Sequence, residues 1–125
     1  MKRLLALALI LCGLTAPAHA KGIEGHYYLE GVMETGSELL LKPGGTFQYY
    51  FTYGALDLLA EGDWRQEKGH VLLTTRKKQS NAPGGEPQAF DTLDMAVSNR
   101  GAALETELWG RHVTYVRHDS GNSGD

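Results

Sequence analysis

The chain has 125 residues, 42% of them apolar and 22% charged, with a formal net charge of −3. That length allows a single domain with one modest core. The acidic balance excludes a broad basic face, and with it nucleic acid or an anionic membrane as the main partner.

Residues 1–20, MKRLLALALILCGLTAPAHA, read as a leader. Lys2 and Arg3 precede an apolar run from Leu4 to Leu14, and Ala18-His19-Ala20 offers the small-x-small pattern that signal peptidase cuts. The run is too short to span a bilayer as a helix, which takes about 20 apolar residues. Cleavage after Ala20 and release to the periplasm or the exterior are therefore expected. The only cysteine, Cys12, falls within this stretch. Cleavage before it, as in a lipoprotein, would place the bulky Leu11 where a small residue is needed. The mature chain then has no disulfide and no thiol nucleophile, a pattern more usual in the bacterial periplasm than in eukaryotic secreted domains of this size. Ten of the twelve basic residues and all fifteen acidic ones lie beyond Ala20, so the mature net charge is −5.

Beyond the leader, glycines punctuate short alternating runs. Gly25, Tyr27 and Leu29 share one parity against His26, Tyr28 and Glu30. Leu39-Leu40-Leu41 fits a strand better than a helix, and Pro43-Gly44-Gly45 is a turn. Thr46 to Tyr53 is the clearest strand, with Phe47, Tyr49, Phe51 and Tyr53 on one face and Thr46, Gln48, Tyr50 and Thr52 on the other. Leu56 to Ala60 is too short for a free-standing helix and reads as the approach to a strand. Ala60, Gly62 and Trp64 then alternate with Glu61, Asp63 and Arg65. Lys68-Gly69 is a hairpin turn, followed by a strand over His70 to Thr75. Arg76 to Pro87 is polar, contains two prolines and is expected to be the longest loop. Phe90 to Val97 resumes alternation, and Asn99-Arg100-Gly101 turns the chain. Leu104, Thr106 and Leu108 oppose Glu105, Glu107 and Trp109; Gly110-Arg111 turns it again; Val113 and Tyr115 oppose Thr114 and Val116. Residues 119–125, DSGNSGD, form a small polar tail with no apolar residue to bury, expected to be disordered.

About eight short strands and no long amphipathic helix predict an all-β fold. An antiparallel meander closed into a barrel removes exposed strand edges; a two-sheet sandwich is the alternative. A single barrel domain over residues 21–118 is expected. Gly25-His26-Tyr27 opening the first strand, Gly44-Gly45 between the second and third, and Ala60-Glu61-Gly62-Asp63-Trp64 on the fourth resemble the small lipocalin-like, calycin-type secreted barrels of bacteria. Lipocalins open their first strand with Gly-x-Trp, where Tyr27 stands in this chain. The resemblance implies a barrel and no particular chemistry.

Tyr27, Tyr49, Tyr53, Trp64 and Tyr115 are the candidate ligand-binding residues, because aromatic walls carrying a few polar tips suit apolar or sugar-like ligands. The competing reading is that the same rings fill the barrel, since eight strands enclose little more than their own side chains. Four histidines follow the leader: His26, His70, His112 and His118. Closure of the first strand on the last would bring His26 near one of the last two, but no metal-binding spacing sharpens this, and no metal or other cofactor is expected. Asp57, Glu61, Asp63, Glu105 and Glu107 would matter to a hydrolase only if two of them faced one cleft. Arg76-Lys77-Lys78 is the one basic cluster, suited to a phosphate or to simple solvation. No nucleophile elbow occurs. A non-enzymatic binding or envelope accessory module is the leading expectation, its partner a small apolar ligand or an envelope protein. A small periplasmic hydrolase and a structural protein with a filled core are the alternatives.

Overall fold

The computed structural model describes residues 22–118; the expected leader and the expected tail lie outside the described residues. Eight strands follow in order: β1 Gly25–Glu30, β2 Thr35–Leu41, β3 Thr46–Tyr53, β4 Leu56–Glu67, β5 His70–Ser80, β6 Thr92–Ser98, β7 Ala103–Leu108 and β8 Arg111–Arg117. Each pairs antiparallel with the next, and β8 pairs with β1, which closes the barrel. The meander barrel is thus the fold, and the sandwich is not.

Period-two alternation sets which side chains point inward. On β3, Phe47, Tyr49 and Phe51 are buried while Gln48 and Tyr50 face out. Ser37, Leu39 and Leu41 line the inside of β2, Leu58 and Ala60 that of β4, and Val71 and Leu73 that of β5. Met95, Leu104, Val113 and Tyr115 complete the wall. Each large buried side chain contributes about 1.5–3 kcal/mol relative to exposure.

One irregularity shapes the outer surface. Glu61 pairs with Lys77, but Gly62 pairs with Thr75, leaving Arg76 as an extra residue in β5. Such a bulge bends the strand and increases its twist. The strands approach so closely there that a Cβ on Gly62 would lie 2.0 Å from the Thr74 carbonyl oxygen and 2.9 Å from the Arg76 nitrogen. Only glycine fits.

Three boundaries differ from those expected. The polar stretch after Thr75 is not all loop, because β5 continues to Ser80. Beyond Thr74, β5 pairs with β4 alone, since β6 begins only at Thr92. A half-strand wet on most sides needs no apolar alternation, so its sequence reads as loop. Its charges have a use at an open edge, where they discourage pairing with another chain. Arg76 is held by Asp63, with contacts of 2.9 and 3.3 Å, and Lys78 by Asp91 at 2.5 Å. Phe90 precedes β6 rather than opening it, and its ring packs inward against Tyr49 at 4.8 Å and Phe47 at 6.1 Å. The last hairpin turns at Trp109-Gly110, one residue earlier than expected, since Arg111 already belongs to β8.

The two ends of the barrel differ. At the end where β1 begins and β8 finishes, Ile23 is buried and Tyr27 Oη lies 2.7 Å from the Ile23 carbonyl and 3.0 Å from that of Gly101. Trp64 pins the β2–β3 turn there, its Nε1 donating to the Lys42 carbonyl and its backbone N–H to that of Gly45, both at 2.9 Å. This end is plugged. The β1–β2, β3–β4 and β7–β8 turns mark the other end.

Candidate functional site

Midway along the barrel the interior is occupied by a polar cluster inside an aromatic one. Tyr115 is fully buried, and its Oη lies 2.8 Å from Ser37 Oγ and 3.3 Å from Tyr49 Oη. Ser37 donates to the Tyr50 carbonyl at 2.7 Å, and Tyr115 donates to Tyr49. Burial raises the pKa of both Tyr49 and Tyr115, that of Tyr115 far above the usual phenol range. Neither ionises near neutrality. They act as satisfied neutral hydroxyls that lock three strands, β2, β3 and β8, across the interior.

The open end is different. Met33 is 80% exposed, Trp109 57% and Tyr53 53%, and they sit on or beside three separate turns of the same end. Leu29, Val32, Tyr53, Trp109, Arg111 and Val113 surround a groove of about 310 Å³ there. Arg111 adds a guanidinium to walls that are otherwise largely apolar.

Trp109 is the unusual member. It and Gly110 both have positive φ, 48° and 77°, as a two-residue type I′ hairpin turn requires. The first position of such a turn favours Asn, Asp or Gly, and a bulky aromatic there is strained. The indole reaches from the β7–β8 turn to Phe51 on β3, with ring centroids 4.5 Å apart. In an eight-strand ring, β3 stands opposite β7. Trp109 therefore lies across the mouth, one face against the interior and the other toward solvent.

The five aromatic residues singled out from sequence do not form one site. Tyr27 and Trp64 belong to the plugged end, Tyr49 and Tyr115 to the mid-barrel cluster, and only Tyr53 lines the mouth. Tyr53 has the inward parity of β3 but is that strand's last residue, so it stands at the rim. Trp109 escaped attention because a tryptophan beside Glu107 reads as an outward strand residue. The Trp-Gly pair between two alternating runs was the available signal.

All four described histidines lie beside carboxylates: His26 by Glu38 at 2.8 Å, His70 by Asp94 at 2.6 Å, His112 by Glu105 at 2.9 Å and His118 by Glu30 at 3.8 Å. Closure of β1 on β8 brings both His26 and His118 against Tyr28, the first stacked on its ring at 4.6 Å and the second edge-on at 5.0 Å. Among the described residues no group of three or more His, Cys, Asp or Glu side chains could hold a metal ion.

The carboxylates weighed for hydrolysis fall on two strands, Asp57, Glu61 and Asp63 on β4 and Glu105 and Glu107 on β7, the latter two flanking His112 at 2.9 and 3.7 Å. Asp63 pairs with Arg76, and hydrogen bonds from Ser98 and His112 hold the Glu105 carboxyl below its ordinary range. A lowered pKa suits a fixed anion rather than a proton donor. No helix among the described residues is long and apolar enough to cross a membrane. Comparison with protein-family models, with curated proteins and with solved structures finds no match.

Proposed function

We propose that this protein is an exported, non-enzymatic binding module of the cell envelope that takes a small apolar ligand at its barrel mouth. The observation that carries this reading is Trp109. A large aromatic side chain is kept in a strained turn and left more than half exposed, where Asn or Gly would fold more easily. Strain and exposed apolar surface gather where a surface has a use. Tyr53, Met33 and the groove beside them extend that surface to roughly the lower size range of small-molecule sites. Export rests on the leader-like residues 1–20.

Thermal melting against a panel of fatty alcohols, fatty acids and sterols tests the reading. A ligand present at 100 times its dissociation constant raises stability by about 2.7 kcal/mol. Trp109→Asn should abolish that shift, whereas an outward substitution on β5, Lys77→Ala, should leave it intact. A flat response of the native protein across the panel refutes the proposal. It would favour the second reading, a structural envelope protein, which the filled mid-barrel interior supports.

A further inference from the structure

A second concavity lies on the outside of the barrel and shares no lining residue with the mouth groove. The outward side chains of five strands form two parallel rows there. One runs His26, Leu40, Gln48, Glu61, Lys77 and the other Tyr28, Glu38, Tyr50, Leu59, Gln79, each residue paired with the next across a strand boundary. The rows border a groove of about 420 Å³, with the Glu61/Gly62 bulge at its edge.

We propose that this groove binds a neutral saccharide chain. Tyr50 and Leu59, 36% and 43% exposed, are direct cross-strand partners and form an apolar platform for the C–H face of a sugar ring. The Tyr50 hydroxyl donates to Asp57 Oδ1 at 3.1 Å, which fixes the ring. Gln48 and Gln79 flank the platform, and among the described residues neither amide makes an internal side-chain hydrogen bond. Each amide offers two donors and an acceptor, the pairing that adjacent hydroxyls require. One row thus runs polar, apolar, apolar, polar from Glu38 through Tyr50 and Leu59 to Gln79, an apolar patch with hydrogen-bonding groups on either side.

Charge and topology point the same way. Glu38 hydrogen-bonds His26 at 2.8 Å, and the lining's two carboxylates, Glu38 and Glu61, are matched by two lysines, Lys77 and Lys78, so the groove carries no formal net charge to favour an ionic ligand. Its floor is β3 and β4, both paired on each side. A ligand lying on this floor is therefore read by side chains; the open edge of β5 beyond Thr74 lies at the groove's border, where its lysines discourage strand addition.

The test is amide NMR of the protein as exported, titrated with chitohexaose, cellohexaose and maltohexaose at up to about 10 mM. At least one hexasaccharide should shift amides at residues 38–40, 48–50, 59–61 and 77–79 and leave 31–34 and 109–110 unmoved. Tyr50→Ala should weaken binding about tenfold. Gln79→Ala, at an exposed position that leaves the barrel intact, should weaken it measurably while Trp109→Asn leaves it unchanged. Absence of shifts with all three sugars overturns the proposal. So do shifts confined to the mouth, or undiminished binding by both groove variants.

Discussion

Replacing Trp109 tests whether turn strain is stored at the mouth. With 57% of the residue exposed, less than half of the indole is covered. Taking about 100 Å² of buried area at about 25 cal/mol per Å² gives an upper figure of about 2.5 kcal/mol for the cover lost on truncation. Alanine loses that cover and keeps the strain, because its Cβ also opposes a φ of 48°. Asparagine loses the same cover but tolerates the left-handed region, recovering about 1 kcal/mol. Trp109→Asn should therefore cost about 1.5 kcal/mol and Trp109→Ala about 2.5 kcal/mol. For a domain of this size the asparagine variant should melt about 4–8 °C above the alanine variant. Both substitutions remove the indole, so both should lose the mouth ligand. An alanine variant as stable as the asparagine variant would show that the turn is unstrained and remove the argument from strain to function.

Gly62→Ala should cost at least about 3 kcal/mol, because the new methyl would collide with backbone atoms of β5 that cannot rotate away; chemical denaturation close to native would refute the close approach. Tyr115→Phe leaves the buried Tyr49 hydroxyl without its partner and should cost about 1–3 kcal/mol. Adding Tyr49→Phe removes the orphaned group, so the double variant should be more stable than the two single losses predict, a non-additivity measured by a double-mutant cycle. Glu105 has a folded pKa below its ordinary 4.5, so its contribution is present above that value and is lost as pH falls through the folded one. The melting-temperature advantage of the native protein over Glu105→Gln should therefore shrink below pH 4.5; an advantage constant down to pH 2 would contradict the assignment.

Much of the barrel was legible because alternation is strict where one face is dry. Phe47, Tyr49 and Phe51 on β3 and Val113 and Tyr115 on β8 declare their direction without any tertiary information. The outer half of β5 was illegible for the opposite reason: Arg76 to Gln79 are all exposed, and an alternation of wet with wet leaves no trace. The division of the aromatics among plug, centre and rim was also hidden. Parity gives the face of a strand but not the height along it, so Tyr49 and Tyr53 look alike until register places them. The outer groove was least accessible. The outward parity of Gln48 and Tyr50 is plain in the sequence, but the cross-strand register that sets Leu59 and Gln79 beside Tyr50 is not, and alternation alone gives no sign of the bulge at Gly62.

Both ends of the described chain meet at the plugged end. The Arg117 guanidinium donates to the Gly22 carbonyl at 2.9 Å, and the His118 backbone N–H donates to the His26 carbonyl at 2.8 Å. A fluorophore or surface link attached close to Gly22 or His118 is therefore expected to leave from the face opposite Trp109, so that coupling there keeps the open rim unmasked.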